Sequence, residues 1–375
     1  MREMNSPDHL AAPVRLEERA AAGGKRIAVA TLDAPKSLHA LTLEMIRLLD
    51  AALQRWAADP AIACVVLQSS TDKAFCAGGD VRGLRDAILA TPDVVPNPTA
   101  QDFFSEEYRL DHRIHTYGKP LLVWGGGIVM GGGLGLMAGA SHRVVTETTR
   151  IAMPEITIGL FPDVGGSWFL PRMPGRSGLF LGLTGAPLNA GDALFTGLAD
   201  YFVPQQDRDR VIAALCEADW QADSADLTVD HVLRGFRASA EVLPASEVRA
   251  NFDAIQQLTD ARSLDEVLRA IRSYDGEALW LQRAAKSLAA GAPSSAALVW
   301  AMQDKARHLG LADVFRLELL VALRCCAHLD FAEGVRALLI DKDNAPQWQA
   351  VSADSTALHF VPPWPRHPLA DLTND

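Results

Sequence analysis

The chain has 375 residues, of which 49% are hydrophobic and 22% are charged, and this composition predicts a folded protein with a sizeable core. Its formal net charge of −11 argues against nucleic acid or an anionic membrane as a partner, because such partners select a basic face. No stretch of sequence reaches the ~20 apolar residues of a membrane span. The five cysteines form neither a paired framework nor a metal-ligand spacing, so a reducing compartment is expected.

The first 13 residues predict a flexible leader. They include the acids Glu3 and Asp8 and lack the apolar segment of a secretory signal. Transit peptides are basic and poor in acidic residues, so this segment favours a cytoplasmic location.

Alternating signals for strands and helices follow the leader. A strand is predicted at 26–32 and a helix at 42–58, with Thr42 as its N-cap. The apolar runs 63–67 and 120–124 have the length and branched content of buried strands. Such strand, strand, helix units up to about Val203 predict an α/β core.

Later segments differ in composition. The proline-rich segment 91–98 predicts a surface loop, and a helix at roughly 102–117 would carry Glu107 and Tyr108. We divide the chain into a leader at 1–13, a catalytic core at 14–205, a helical C-terminal region at 206–350 and a proline-rich tail at 351–375. The part of the tail after Val361 is expected to be an extended strap or a mobile end.

Two glycine clusters each join a predicted strand to a predicted helix. One contains Gly78 and Gly79, and the other runs from Gly131 to Gly135. Glycine permits unusual backbone angles and close approach, and unpaired N–H groups at two such junctions could stabilise one developing oxyanion. A tight turn without a ligand is the simpler interpretation of either cluster alone.

Two acids lie in an otherwise mostly apolar segment at 153–166. Glu155 and Asp163 are eight positions apart among apolar residues, Gly and Pro. Burial disfavours a charged carboxylate, so such residues need either a compensating partner or a chemical use. General acid, general base and nucleophile are the candidate uses.

The order of these motifs resembles that of the enoyl-CoA hydratase/isomerase (crotonase) superfamily. The matching segments are PKSLHAL at 35–41, KAFCAGGD at 73–80, MGGG at 130–133 and MPE at 153–155. Three further marks are most similar to the 3-hydroxyisobutyryl-CoA hydrolases: GLFPDVGG at 159–166, EEY at 106–108 and FAEGVRALLIDKD at 331–343. The resemblance covers roughly residues 14–350. It implies a crotonase-like spiral of strand-strand-helix turns with a helical C-terminal region.

The resemblance also implies roles for individual residues. The backbone N–H groups of Gly79 and Gly132 would form an oxyanion hole, and Glu155 and Asp163 would be the catalytic carboxylates. Substrate binding would involve Glu107 together with Gly132, Glu155 and Asp163. The implied reaction is hydrolysis of an acyl-CoA thioester, most simply 3-hydroxyisobutyryl-CoA in valine catabolism, with no cofactor beyond the CoA of the substrate and no metal. Glu155 could be the general base or the nucleophile, and a homo-oligomer is left open.

Several alternative functions, from different classes of protein, stay open. Hydratases of the superfamily carry a second catalytic Glu three residues after the middle glycine of the Gly-Gly-Gly run, where this chain has Gly135. The missing second carboxylate argues against a hydratase, whereas an isomerase could work with Glu155 as its one base. A hydratase or isomerase stays the nearest alternative within the superfamily, and a non-catalytic acyl-CoA-binding protein is another. The G-x-G-x-x-A pattern at 133–138 also fits a dinucleotide-binding dehydrogenase, although so short a pattern is weak. Cys76 is interpreted as a packing residue, and His39 as a candidate substrate contact.

Overall fold

The computed structural model of the chain describes residues 12–92 and 94–374. The predicted leader therefore lies almost entirely outside the described residues. In the described ranges the strands, numbered β1 to β9 in chain order, span Val14–Ala20, Arg26–Leu32, Ile62–Ser69, Ala74–Cys76, Leu121–Gly125, Ile128–Met130, His142–Val145, Arg150–Ala152 and Tyr201–Phe202.

A six-stranded sheet forms one wall of the core. Its strand order is β1-β2-β3-β5-β7-β9, and all neighbouring pairs are parallel except β1 with β2. Both middle strands carry continuous buried apolar runs, as parallel strands covered on both faces do. The strands expected at 26–32, 63–67 and 120–124 correspond to β2, β3 and β5.

A second, smaller sheet carries the site. Its strands β4, β6 and β8 are short and parallel. Each glycine cluster follows one of them, since β4 ends at Cys76 before Gly78 and β6 ends at Met130 before Gly131. Parallel strands end at the same edge of a sheet, so β4, β6 and β8 deliver both glycine clusters and Glu155 to one place.

Helices cover the two sheets and form most of the C-terminal half. In the described part of the chain the α-helices, numbered α1 to α17, span Leu43–Ala58, Val81–Ala90, Pro98–His115, Gly132–Ala138, Gly166–Phe169, Ser177–Thr184, Ala190–Thr196, Arg208–Glu217, Ala225–Gly235, Glu247–Ala250, Phe252–Thr259, Leu264–Arg272, Leu279–Ala290, Pro293–Lys305, Leu311–Cys326, Leu329–Val335 and Ala353–Leu358. A π-helical segment, Arg336–Ile340, continues α16.

Two of these helices test the sequence predictions closely. Helix α1 agrees with the expectation, and Thr42 caps it by accepting a hydrogen bond from the N–H of Met45 at 3.2 Å. The predicted start of the next long helix was wrong, because α3 begins at Pro98 and ends at His115. Proline is compatible with the first helical position, where no N–H is needed, and Asn97 caps the helix through the N–H of Ala100.

The C-terminal tail packs against α3 and α15. Leu369 is fully buried, and the Arg109 guanidinium forms an ion pair of 2.6 Å with Asp371. The ring of His112 lies 2.9 Å from the carbonyl of Thr373. These contacts tie the chain's end to the helix that carries Glu107 and Tyr108.

Within residues 12–92 and 94–374, no helix combines the length and apolar character required to cross a bilayer.

Candidate active site

A cavity of about 230 Å³ lies where the two glycine junctions meet α3 and the 155–164 segment. All five residues that the sequence singled out contribute to its lining: Gly79, Gly132, Glu107, Glu155 and Asp163. The other walls are mainly apolar and come from α2, α3, the 158–160 segment and Leu338 and Leu339 of the π-helical segment. An apolar cavity with a few convergent polar groups is the usual form of a small-molecule site.

The two glycine junctions approach each other closely. A Cβ atom built on Gly132 would lie 3.5 Å from the amide nitrogen of Gly79. Gly78 and Gly131, which precede the two donors, have φ angles of 116° and 48° that glycine adopts without strain. Gly132 is the first residue of α4, so its N–H has no acceptor within the helix. Both Gly79 and Gly132 thus line the cavity, close to each other.

Glu155 faces this pair of donors from the end of β8. It begins a short 3-10 turn, Glu155–Ile158, and only 4% of the residue is exposed. Its Oε1 would lie 3.2 Å from a Cβ built on Gly131, and its Oε2 is buried without a hydrogen-bond partner among the described residues. An unpartnered buried carboxylate oxygen is costly, and such groups concentrate at functional sites.

Asp163 has a specific partner in Tyr108. The Tyr108 hydroxyl donates a hydrogen bond of 2.6 Å to Oδ2 of Asp163, and both side chains are buried. The sequence placed Tyr108 beside Glu107 on one helix but did not assign it to the site. Only its position next to Glu107 could have indicated this role, because a single aromatic residue is more often a core residue.

Burial raises the pKa values of the carboxyl groups in the cavity, and repulsion between these groups adds to the rise for Glu107 and Glu155. Burial raises the pKa of Glu155 well above its usual range, and the negative charges of Asp163 and Glu107 raise it further. The pKa of Glu107 is likewise raised well above normal, first by burial and then by the charge of Asp163. The pKa of Asp163 is raised to about 6, because burial raises it while the hydrogen bond from Tyr108 lowers it. Asp163 is thus the acid of this group that ionises most readily.

Gly135 borders a fully occupied space. A Cβ atom there would lie 2.7 Å from Cβ of Val164 and 3.0 Å from Oδ2 of Asp111. The position at which hydratases of the superfamily carry their second Glu therefore has no room for a side chain. Asp111 was not predicted from the sequence; it is fully buried on α3, one turn after Glu107, and neither of its oxygens has a partner in the described structure.

Two other candidates from the sequence are structural. His39 is fully buried and does not line the cavity; its Nδ1 accepts from the N–H of Ala34 at 3.0 Å and its Nε2 lies 2.9 Å from the Thr71 hydroxyl, as expected of a core residue. Burial raises the pKa of the Cys76 thiol to about 12, which agrees with a packing role. Among the described residues, no group of three or more His, Cys, Asp and Glu is arranged to hold a metal ion.

This fold and this site define an acyl-CoA enzyme scaffold, and the comparisons with known proteins agree. The enoyl-CoA hydratase/isomerase family model matches residues 27–361, so the chain belongs to that family. The resemblance inferred from the motifs and the predicted crotonase-like α/β fold are confirmed.

Individual proteins of known name are similar to most of the chain. It is 38% identical to the mitochondrial 3-hydroxyisobutyryl-CoA hydrolase of Danio rerio over 89% of this chain and 85% of the relative. It is 34% identical to the protein of the same name from Homo sapiens, over 92% of this chain and 86% of the relative. A solved structure of an enoyl-CoA hydratase from Rhodobacter sphaeroides 2.4.1 is 35% identical, with a TM-score of 0.80 over 93% of this chain and 97% of that one. A carnitinyl-CoA dehydratase from Mycobacterium thermoresistibile is 31% identical, with a TM-score of 0.82 over the same shares.

Proposed function

We propose that the protein hydrolyses a short β-hydroxyacyl-CoA thioester, converting 3-hydroxyisobutyryl-CoA and water to 3-hydroxyisobutyrate and CoA. Relatives at 34–38% identity over most of the chain carry the name of this activity. The observation that carries the proposal is the set of groups around one cavity: two backbone N–H donors on one side, and Glu155 and Asp163 beside them.

The two N–H groups stabilise the negative charge that develops during the reaction. When the thioester carbonyl is attacked, its oxygen becomes negative, and the N–H groups of Gly79 and Gly132 stabilise that charge. Removal of one donor of this kind typically costs ~10²–10³ in rate. No serine or cysteine is required in this scheme, and the raised pKa of Cys76 disfavours its thiolate as a nucleophile.

Glu155 promotes the attack on the carbonyl carbon by one of two routes. As a general base it takes a proton from water while the water oxygen bonds to carbon; as a nucleophile its own oxygen forms a mixed anhydride that water then opens. In both routes the C–S bond breaks and the sulfur leaves as CoA thiolate, which takes up a proton. Rapid quenching followed by mass spectrometry separates the routes, because only the second attaches the acyl group to Glu155.

Asp163 binds the substrate hydroxyl. It ionises before its neighbours, so its carboxylate can accept a hydrogen bond from a β-hydroxyl group in an otherwise apolar cavity. Glu107, which lines the same wall, is the further contact to substrate. The apolar walls suit a short branched acyl chain.

Hydratase or isomerase activity is the alternative within the family. It has support from the names of the solved relatives, and an isomerase could work with Glu155 alone. Addition of water across a double bond needs the second carboxylate for which Gly135 has no space. A non-catalytic acyl-CoA-binding protein has less support, because a binder gains nothing from two buried carboxylates whose charged forms are disfavoured.

Parallel assays on the purified protein test the proposal. One follows release of free thiol from 3-hydroxyisobutyryl-CoA, and the other follows loss of the enoyl absorbance of crotonyl-CoA. Thiol release alone is expected. Loss of enoyl absorbance without thiol release would replace the hydrolase by a hydratase, and no change in either assay would favour the binder.

The biological setting follows from this substrate. Release of 3-hydroxyisobutyrate would place the enzyme in valine catabolism. The curated relatives are named as mitochondrial proteins, which describes those proteins. For this chain a cytoplasmic location stays a prediction from its N-terminal composition, and association into a homo-oligomer stays open to measurement.

A further inference from the structure

Glu318, a buried acid of helix α15, binds the loop that carries Asp163. It is fully buried in the C-terminal region, more than 150 residues along the chain from that loop. Its Oε2 accepts a hydrogen bond of 2.8 Å from the N–H of Gly165, and its Oε1 accepts one of 2.8 Å from the N–H of Ser167. The carboxylate thus holds two backbone positions just after Asp163.

This loop has a backbone that needs external support. Val164 has a φ angle of 50°, which is a rare conformation for a β-branched residue, and Gly165 follows with a φ angle of 88°. Such conformations persist where the surrounding structure holds them firmly, and they cluster at functional sites. The Glu318 bonds fall directly after the strained residue.

The same helix also supports the partner of Asp163. Phe315, one turn before Glu318, packs against Tyr108 with the ring centroids 5.9 Å apart. Helix α15 therefore contacts both sides of the Tyr108–Asp163 hydrogen bond: the tyrosine through an aromatic ring and the aspartate loop through a carboxylate. Burial raises the pKa of Glu318 to about 8, and the N–H groups of Gly165 and Ser167 partly oppose that rise.

We propose that Glu318 is a positioning residue that fixes the Asp163 loop for catalysis, so that the C-terminal helical region takes part in building the active site. This inference rests on the proposed hydrolase function. Glu318 does not line the cavity, and it acts only through the backbone of Gly165 and Ser167. A displacement of about 1 Å at a reacting group costs roughly 10²-fold in rate, so loss of this anchor should appear in turnover.

The test is the Glu318→Gln variant, because a glutamine amide can accept from only one of the two N–H groups. We expect kcat to fall roughly 10- to 100-fold while KM changes much less. We also expect faster hydrogen–deuterium exchange in peptides that cover residues 160–170. The Glu318→Asp variant keeps a carboxyl group with two acceptor oxygens but is one methylene shorter, so its kcat should lie between those of wild type and the glutamine variant. It also carries the test if the glutamine variant does not fold.

Asp192→Asn is the matched control. Asp192 is equally buried and accepts bonds from the N–H groups of Asn189 at 2.9 Å and Val248 at 2.8 Å, but it does not line the cavity. This control should lose stability and keep its kcat.

Two results would overturn the assignment of Glu318: a kcat equal to that of wild type, or unchanged exchange at 160–170. An equal loss of kcat in the Asp192 control would do so as well, since a general loss of packing would then explain both variants. If wild-type protein releases no thiol, the hydrolase proposal fails, while the exchange experiment still decides whether Glu318 anchors the loop.

Discussion

The hydroxyl of Tyr108 donates a 2.6 Å hydrogen bond to Asp163, and this bond joins helix α3 to the loop that completes the cavity. Both residues are buried, so the bond forms in surroundings of low polarity, where it strongly favours the ionised carboxylate. It opposes the effect of burial and holds the pKa of Asp163 at about 6, below those of the neighbouring acids Glu107 and Glu155.

The Tyr108→Phe variant should therefore move the acid limb of the pH profile. Without the hydroxyl, the largest effect opposing burial is lost and the pKa of Asp163 rises from about 6. The proposed scheme needs both Asp163 and Glu155 in the ionised form, and loss of the hydrogen bond makes that doubly ionised state harder to reach, so the rise of kcat/KM with pH should shift to higher pH. Measurement of kcat/KM from about pH 5 to about pH 9 checks this. Glu107, Asp111, Glu155 and Glu318 also face this region, so the limb belongs to the group as a whole.

Tyr117→Phe is the control for that experiment. Tyr117 lies just after the same helix, and its hydroxyl donates to the carbonyl of Leu53 at 2.9 Å, away from the cavity. Its loss should leave the limb in place. A Tyr108→Phe profile that coincides with wild type would mean that the ionisation of Asp163 does not set the acid limb of the free enzyme.

Loss of either carboxylate should remove activity and leave the fold intact. For Glu155→Gln and Asp163→Asn we expect thioesterase turnover to fall roughly 10²- to 10⁴-fold, the usual contribution of a positioned acid or base. Circular dichroism should match wild type, because each change replaces a buried acid by a neutral isostere. The surface variant Glu106→Gln, which loses only an exposed ion pair with Arg47, should keep full turnover. Wild-type rates in both cavity variants would show that the chemistry lies elsewhere.

The proposed oxyanion site should not tolerate a side chain at Gly132. A Cβ atom there would overlap with Oε1 of Glu107 and would stand beside the N–H of Gly79, so Gly132→Val should abolish turnover. Gly235 is a matched control, because a Cβ atom on it would meet no atom within 4 Å. Steady-state thiol release from Gly132→Val and Gly235→Val measures the difference. An active Gly132→Val enzyme would remove this glycine from the oxyanion hole.

The sequence predicted the elements with local signals and missed the contacts that depend on tertiary structure. Local sequence alone indicates the glycine clusters, the buried strands and the Thr42 cap. It also indicates Glu155 and Asp163, because both acids lie among apolar residues. Glu318 lies within an equally apolar helix, yet its partners Gly165 and Ser167 are distant in the chain. The start of α3 was missed for a local reason, since several prolines in 91–98 suggested a loop through a residue that in fact begins a helix.

Asp111 should make the protein less stable as the pH rises. Burial raises its pKa well above the usual value, and the charges of Glu107, Asp163 and Glu318 raise it further. Above a pH of about 4, the unfolded chain releases this proton while the folded chain retains it, so the free energy of unfolding falls with pH until the pKa of the folded state is reached. The slope for one such group is at most about 1.4 kcal/mol per pH unit.

The Asp111→Asn variant carries no such proton and should escape this loss. We expect its stability relative to wild type to increase with pH, which urea unfolding at a series of pH values measures through the midpoint. The exposed Asp102 on the same helix provides, as Asp102→Asn, the control for a simple change of charge. A difference in stability between Asp111→Asn and wild type that stays constant or decreases as the pH rises would contradict the prediction, because it would mean that folded Asp111 releases its proton as readily as the unfolded chain does.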